Sequence, residues 1–273
     1  MELSAREFHL IKDLVKDKFG IYLSEQKKSL VVQRLQKELW AGGFSSFQDY
    51  YNYVCRDTSG QALNNLGDLI STNHTFFFRE EAHFAFIESV ALPQLVTAVR
   101  KNGERELRFW SAGCSSGEEA YSLAMVLSQY TMEHNPGVQF YILATDMSTS
   151  VLKKARAGVY SNEQVSRLPP LYRIRYFDQL GDGQWKVKPN ISKIILFRRL
   201  NLMRQEYPFK KCFQMIMCRN VLIYFDAETR KNMAKRFSLY LEHGGYMLVG
   251  HSETLDRSSG LYRFIQPAVF QRV

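Results

Sequence analysis

The stretch Glu106–Met125, ELRFWSAGCSSGEEAYSLAM, joins a strand, a glycine-rich turn and the start of a helix, and it decides the fold. ELRFWSA is a short apolar strand, GCSSG is a turn, and EEAYSLAMVLSQY continues as a helix. A strand that leads through glycines into a helix is the opening unit of a doubly wound α/β sheet. Such sheets bind ligands at the carboxyl ends of their central strands, so we expect a site beside Gly113.

The chain repeats this alternation after the opening unit. VQFYILATD, FQMIMC and YMLVGHS are predicted strands, STSVLKKARAG and DAETRKNMAKRFSLYLEHGG are predicted helices, and LYRFIQPAVFQRV is a closing strand or hairpin. The pattern predicts a parallel, doubly wound sheet. It is interrupted at about 172–199, where Gly181-Asp182-Gly183 between short strand-like runs predicts a hairpin. We therefore expect a small antiparallel β-subdomain inserted there.

The first seventy residues have a helical pattern instead. Phe8, Ile11, Val15 and Phe19 follow helical spacing up to Gly20. Serines at 24 and at 45 or 46 are predicted to cap a second and a third helix, and QALNNLGDLI a fourth. We predict a helical domain over 1–70, a linker over 71–85 that contributes to the site, and a second domain over 86–273.

Composition limits the class of protein. The 273 residues are 45% hydrophobic, which is enough for a substantial core. The charged N-terminus has no signal-peptide pattern, and no apolar run approaches the ~18–20 residues of a membrane span, so we expect a cytoplasmic protein. The four cysteines and six histidines show no metal-site spacing, which predicts reduced, mostly buried thiols and no metal.

The net charge of +9 is unevenly distributed. Residues 1–70 carry nine basic and nine acidic side chains, whereas residues 172–211 carry ten basic and three acidic ones. A basic region of this size attracts an acidic partner such as nucleic acid, an anionic membrane or a glutamate-rich protein surface. A solvated face without a partner is the alternative.

Polar side chains follow the predicted strands. Glu118 and Glu119 come directly after the glycine turn, either as helix-capping acids or as ligand groups. Asp146 ends the second strand, where an acid accepts from ribose hydroxyls or caps the next helix. Arg219 and Asn220 follow the buried strand FQMIMC. Acids beside the turn suit a positively charged nucleoside, S-adenosylmethionine, better than the pyrophosphate of NAD.

Thr72–Glu80, TNHTFFFRE, fits neither strand nor helix periodicity. Together with WSAGCSSGEEAYSLAM, ATDMSTSVLKKARAGVY, RYF, NL, MCRNVLIYFD and GGYMLVGHSE it resembles, in order and over nearly the whole chain, the CheR-type chemotaxis-receptor glutamate O-methyltransferases. The resemblance implies a class I methyltransferase (Rossmann-like) sheet, S-adenosylmethionine as cofactor, and methyl esters on receptor glutamates as product.

The resemblance also implies roles for individual residues. Arg79 and Tyr224 lie nearest the transferred methyl group. The cofactor is held by Asn73, Thr75, Arg79, Gly113, Glu119, Asp146, Asn201, Leu202, Arg219 and Asn220. Acidic receptor helices are docked by Lys27, Lys28, Arg34 and Lys37. The loop QLGDGQW is shorter than in relatives that bind a receptor tether, so tether binding is not implied. Without a coiled-coil seam, we expect a monomer.

Three other functions fit part of the pattern. A nucleic-acid methyltransferase would share the fold and the basic charge, but the chain has no NPPY-type motif and its aromatic residues are not interleaved with the basic region. A non-catalytic cofactor-binding scaffold would not need Arg79 and Tyr224. A dehydrogenase would not place two acids after its glycine turn.

Overall fold

The computed structural model describes residues 1–273, which form two sheets surrounded by helices. The strands are β1 Glu106–Ala112, β2 Gln139–Asp146, β3 Val159–Ser161, β4 Phe177–Gln179, β5 Gln184–Val187, β6 Ile195–Arg199, β7 Phe213–Cys218, β8 Leu241–Val249, β9 Tyr262–Gln266 and β10 Val269–Arg272. The α-helices are α1 Ala5–Phe19, α2 Lys28–Ala41, α3 Phe47–Arg56, α4 Gln61–Ile70, α5 Glu81–Phe86, α6 Leu92–Lys101, α7 Glu118–His134, α8 Thr149–Ala157, α9 Asn162–Ser166, α10 Pro170–Tyr176, α11 Pro189–Ser192 and α12 Ala227–Tyr240.

The main sheet has seven strands in the order β6-β2-β1-β7-β8-β10-β9. The first five are parallel, and the closing hairpin β9–β10 adds antiparallel to β8. The chain leaves β1 toward β2 and β6 and then returns to β7 on the other side of β1. This reversal places the carboxyl ends of β1, β2 and β7 around one crevice, which is where doubly wound sheets bind ligands. The predicted fold class is confirmed.

Helices α1 to α4 form a separate apolar core. Phe8, Ile11, Val15 and Phe19 are buried in it, as their spacing predicts. Ser4 caps α1 in a reciprocal capping box with Glu7, and Ser46 caps α3. Ser24 precedes only a 3-10 turn, Glu25–Lys27, and its hydroxyl makes no capping bond, so the second helix begins later than predicted, at Lys28.

A helix that the sequence reading missed follows the polar segment. It runs from Glu81 to Lys101 through a π-helical turn at Ile87–Ala91 and begins inside the predicted linker. It is long and apolar enough to span a membrane, but half of it is buried inside the protein, as in the core helix of a soluble protein, so this is weak evidence for a span. Its apolar face packs on the sheet through Leu92, Leu95 and Val96.

The inserted subdomain lies earlier in the chain than predicted. A three-stranded antiparallel sheet with the order β3-β5-β4 occupies 159–187, and the predicted turn at 181–183 joins β4 to β5. The expected range of 172–199 is wrong at its end, because β6 pairs in parallel with β2 in the main sheet. As an edge strand, β6 alternates buried and exposed residues and so resembles an antiparallel strand in sequence.

The end of α12 and the cysteines also differ from expectation. Strand β8 begins at Leu241, so the predicted helix stops before the glycine pair, which lies within the strand. All four cysteines are free thiols, as predicted. Cys114 and Cys218 are buried, whereas Cys212 is half-buried and Cys55 is exposed.

Candidate functional site

One cavity of about 340 Å³ opens at the carboxyl ends of the central strands. Its walls come from the turn after β1, the ends of β2, β6 and β7, and the polar segment 71–75. Phe19, Ile21 and Ile70 of the helical domain close the opposite side. The volume lies within the range of small-molecule sites, and the cavity lies at the seam between the two cores.

The turn after β1 is built around Gly113 and Asp146. Gly113 has a positive φ of 86°, and a Cβ there would lie 2.4 Å from Val221 Cγ2, so only glycine fits. The Asp146 carboxylate accepts hydrogen bonds from the Ser115 and Ser148 amides, both at 2.9 Å. Ser148, not Asp146, caps α8, which removes helix capping as the explanation for this acid.

The side chains of Glu80, Arg219 and Glu119 form an ion-pair network beside the cavity. The Arg219 side chain, 1% exposed, donates from Nη1 to Glu119 Oε2 and from Nη2 to Glu80 Oε2, both at 3.1 Å. Glu119 also accepts from the Ser111 hydroxyl at 2.6 Å. Glu80 accepts further bonds from Asn220 Nδ2 and from the His251 amide, each at 3.2 Å. Two carboxylates therefore share one buried guanidinium.

The pKa values of the carboxyl groups follow from this arrangement. Burial raises the pKa of Glu119, against the opposing effects of Arg219 and Ser111. Burial also raises the pKa of Asp146, against the two amide bonds. Burial acts on Glu80 in the same direction, but the Arg219 charge and its other donors hold the Glu80 pKa below its ordinary value. The pair Glu80–Arg219 is therefore ionised at neutral pH.

The segment 72–80 is held on its inner side by the turn after β1 and by helix α7. Asn73 O accepts from Ser115 Oγ at 3.1 Å, and the Phe78 amide donates to Ser122 Oγ at 2.9 Å. Phe78 and Glu80 have left-handed backbone, with φ of 53° and 58°. Non-glycine residues rarely adopt this conformation, and such strain concentrates at functional sites.

The three phenylalanines in this segment have different neighbours. Phe77 is buried edge-on against Tyr160 and Phe177 of the inserted subdomain, with centroids 4.9 and 5.6 Å away. Phe78 packs on Phe84 and Tyr172, and Phe76 stays half-exposed. Burial of one aromatic ring is worth roughly 1.5–3 kcal/mol, enough to hold the segment. The phenylalanine rings are therefore anchored by the inserted subdomain and by the helix over 81–101.

The helical domain is bonded directly to the loops of the site. The Tyr22 amide donates to Tyr224 O at 2.7 Å, and Asn201 Nδ2 donates to Lys18 O at 2.7 Å. The Lys27 ammonium lies 5.8 Å from the centre of the Tyr224 ring. The position of Tyr224 therefore depends on the helical domain.

All ten predicted cofactor residues, and Tyr224, line this one cavity. The four predicted docking residues do not form one free surface. Arg34 Nη2 donates to Thr72 Oγ1 at 2.8 Å, and Arg34 Nη1 donates to the Leu69 and Ile70 carbonyls. Arg34 thus caps α4 and holds the polar segment, while Lys37 is exposed and Lys28 is half-buried.

Two acids that position residues of the site, Glu80 and Glu253, were not predicted, although both belong to motifs recognised in the sequence. Glu80 ends TNHTFFFRE, and its link to Arg219 spans 139 residues, which no local pattern shows. Glu253 stands in GHSE and is buried, and it accepts from the amides of Asn220 and Ile223 at 2.8 and 3.0 Å. It fixes the loop that carries Arg219 and Tyr224.

Glu80, His83 and His251 also have metal-like spacing, with one possible ligand atom each within 4.8 Å of the others. His83 is 1% exposed; its Nδ1 lies 3.3 Å from Glu80 Oε2, and neither ring nitrogen forms a hydrogen bond. Burial and then the Arg219 charge lower the pKa of His83 to about 4. The guanidinium already bound to Glu80 would repel a cation, so the geometry favours an ion-pair network over a metal site.

The lining of the cavity fits a charged nucleoside. Asp146 lies at the strand end where ribose hydroxyls bind, and Phe19, Ile21, Leu202 and Phe225 offer apolar surface for a base. The charged residues that line it are two acids, Glu119 and Asp146, and two arginines, Arg79 and Arg219. Because Arg219 is already bonded to Glu80 and Glu119, the Asp146 carboxylate at the strand end is the acid without a basic partner.

Two family models match nearly the whole chain. The CheR methyltransferase SAM binding domain matches residues 73–270, and the CheR methyltransferase all-alpha domain matches residues 6–71. A chemotaxis protein methyltransferase of Borreliella burgdorferi is 46% identical over 96% of this chain and 92% of its own. Chemotaxis protein methyltransferase 1 of Pseudomonas aeruginosa is 36% identical over 100% and 99%, and the Escherichia coli protein is 34% identical over 94% and 87%.

Proposed function

Because the chain belongs to the CheR family of S-adenosylmethionine-dependent methyltransferases, we propose that it methylates glutamate side chains of chemoreceptors. The product is a glutamate methyl ester. The observation that carries the proposal is the gathering of the ten predicted cofactor residues around one cavity, with Arg79 and Tyr224 in its wall. The relatives named as chemotaxis methyltransferases support the same substrate class.

We propose that Asp146 accepts from the ribose hydroxyls and that Glu119 accepts from the amino group of the cofactor. Glu119 is suited to this because Ser111 and Arg219 fix its carboxylate at the cavity wall. Asn73, Thr75, Asn201, Leu202 and Asn220 complete the enclosure. S-adenosylmethionine, when bound, supplies an electrophilic methyl group.

The residues of the chain are proposed to align the acceptor and not to deprotonate it. A glutamate with an ordinary pKa of ~4.3 is already ionised at neutral pH, so no general base is required. Arg79 is available to orient the acceptor carboxylate, since its Nη1 is bonded only to the His74 carbonyl, at 2.8 Å. Alignment of this kind contributes effective molarities of about 10⁵–10⁸ M.

Tyr224 is proposed to provide a hydrogen bond beside the reacting groups. It lines the cavity on the loop after β7, and its main chain is bonded to Tyr22. Lys27, Lys28 and Lys37, together with the basic region 172–211, are proposed to dock acidic receptor helices. The enzyme would work in the cytoplasm as a monomer without membrane insertion.

The decisive experiment is transfer of labelled methyl from S-adenosylmethionine to a purified receptor cytoplasmic fragment. We expect label that is released by mild base, because carboxyl methyl esters hydrolyse under those conditions, and we expect mass spectrometry to place it on glutamates. A matched fragment with those glutamates changed to glutamine should remain unlabelled. Cofactor binding without base-labile label on receptor would contradict the proposal, and label on RNA or DNA instead would favour the nucleic-acid alternative.

A further inference from the structure

Two arginines share one aromatic ring at the rim of the cavity. Arg79 Cζ lies 5.8 Å from the centroid of Phe76, and Arg167 Cζ lies 5.1 Å from the same centroid. Arg79 lines the cavity, whereas Arg167 does not. Arg167 is exposed and follows α9 of the inserted subdomain, so it approaches the rim from a different part of the fold.

Neither guanidinium is neutralised by the protein. None of its ion pairs includes Arg79 or Arg167. Glu163 is one helical turn before Arg167 but is not within ion-pair distance. The polar bond that Arg79 makes is to a main-chain carbonyl. Both cations therefore lack a carboxylate partner, and a guanidinium presents a planar fork that matches a carboxylate.

The ring of Phe76 explains how the protein stabilises Arg79 and Arg167 close to each other without a carboxylate between them. It is half-exposed, and its neighbours Phe77 and Phe78 are anchored in the subdomain and the core. A cation near the face of an aromatic ring gains about 0.5–1 kcal/mol at an exposed site. Phe76 therefore holds both guanidiniums at one edge of the cavity without neutralising them.

We propose that Arg167 binds a second carboxylate of the substrate, next to the glutamate that Arg79 orients. This inference rests on the proposed function, because it assigns a recognition role on the same acidic helix. The two guanidiniums lie at most about 11 Å apart, since they are 5.8 and 5.1 Å from one centroid. Side chains one helical turn apart have Cβ atoms roughly 5–6 Å apart, so two long acidic side chains on one helix face can reach both. The enzyme would then select glutamates that have an acidic neighbour on the same helix face.

The test compares two receptor fragments that each keep a single methylatable glutamate. One retains the acidic residues within a helical turn of it, and the other has them changed to glutamine. The wild-type enzyme should prefer the acidic fragment by about tenfold in kcat/KM, which equals about 1.4 kcal/mol. Arg167→Gln should lose most of this preference, and Arg167→Lys should keep part of it.

Arg100→Gln is the matched control, because Arg100 is an exposed arginine on α6 that makes no ion pair. It should keep the full preference, and all variants should bind S-adenosylmethionine equally well. The inference is wrong if Arg167→Gln retains the preference or slows both fragments by the same factor. If the wild-type enzyme forms no base-labile ester on either fragment, the proposed function itself has failed, and the inference fails with it.

Discussion

Arg79 and Tyr224 lie in the wall of the same cavity but are held differently. Arg79 has one bond to a neighbouring carbonyl, and Tyr224 is fixed through its main chain. We expect Arg79→Ala to lower kcat/KM for receptor methylation about 100-fold, since misplacement of a reactant by about 1 Å has effects of that size. Tyr224→Phe should lower it only several-fold. Initial rates with receptor, and calorimetry with S-adenosylmethionine, measure the two effects separately.

Arg79→Lys is the control for this pair, because it keeps the charge but not the planar fork. It should recover part of the lost rate. Turnover near the wild-type level in Arg79→Ala, with cofactor binding intact, would remove Arg79 from the catalytic assignment.

Glu80 acts through Arg219. Because Glu80 and Glu119 share this guanidinium, removal of the Glu80 charge should transfer Arg219 to Glu119 and reduce the negative charge available to the cofactor. We expect Glu80→Gln to weaken binding of S-adenosylmethionine about tenfold and binding of the uncharged-sulfur product S-adenosylhomocysteine by less. Calorimetric titration of both ligands gives the ratio.

Glu81→Gln is the matched control, because Glu81 is the adjacent exposed acid and forms no ion pair. It should leave both affinities within twofold. An equal loss of affinity for cofactor and product in Glu80→Gln would show that Glu80 serves only to maintain the fold.

His83 should make the protein sensitive to mild acid. Its folded pKa of about 4 is below the ordinary 6.5, so the unfolded chain binds more protons between these values and stability falls as pH decreases through that window. From pH 7 to pH 5 the loss should be about 2 kcal/mol. His83→Leu removes the titrating group, so its free energy of unfolding should fall less between pH 7 and pH 5. Urea unfolding at the two pH values measures the difference.

The same substitution should be tolerated at pH 7. Neither buried ring nitrogen of His83 forms a hydrogen bond, and the Glu80 carboxylate, 3.3 Å from Nδ1, keeps its bonds from Arg219, Asn220 and the His251 amide. Glu80, whose pKa is lowered, titrates below this window and does not confound the comparison. Identical losses in the wild type and in His83→Leu between pH 7 and pH 5 would contradict the assignment.

At the residue scale, local motifs identified the groups that end strands. Asp146 and Gly113 were found because strand ends meet at one edge of a parallel sheet. Glu80 and Glu253 were not, because their partners lie far along the chain and only folding brings the groups together. The docking role of Arg34 came from the family resemblance, and the sequence does not show that its donors are bonded to α4 and Thr72.

Helix α2 influences the cavity through Arg34, which bonds the end of α4 and the side chain of Thr72. We expect Arg34→Gln to raise the Kd for S-adenosylmethionine about five- to tenfold, because a bond to a charged group is worth about 1.5–3 kcal/mol and only part of that reaches the ligand. Fluorescence or calorimetric titration of the cofactor measures the change.

Lys37→Gln, one turn further along α2, separates docking from positioning. Lys37 is exposed and makes no ion pair, so its loss should raise the KM for receptor and leave cofactor affinity unchanged. If Arg34→Gln, like Lys37→Gln, raises the KM for receptor and leaves cofactor affinity unchanged, the bond between Arg34 and Thr72 does not affect cofactor binding.

Elements with a clear period were predicted well, and elements defined by their tertiary surroundings were not. Helix α1 and the strands around the crevice follow from apolar spacing and caps. The helix over 81–101 was missed because its N-terminal turn follows directly on a left-handed residue, Glu80, with no side-chain cap to mark its start. Strand β6 was assigned to the wrong sheet, because buried and exposed residues alternate along an edge strand of a parallel sheet as they do along an antiparallel strand.

At the scale of the whole molecule, the net charge of +9 should govern the encounter with an acidic receptor. The screening length falls from ~10 Å at 0.1 M salt to ~3 Å at 1 M. We expect kcat/KM on receptor to fall about tenfold between 0.05 M and 0.5 M sodium chloride, while cofactor affinity changes little. A rate that is flat with salt, measured against a sucrose control, would argue against electrostatic docking.

The cavity takes one wall from the helical domain, through Phe19, Ile21 and Ile70. That domain is therefore not a detachable recognition module that evolution or an engineer can exchange to redirect the enzyme to another receptor. A graft from a relative would bring a foreign wall to the cofactor, and every change of partner has to remain compatible with the chemistry. Specificity in this architecture is inherited together with catalysis.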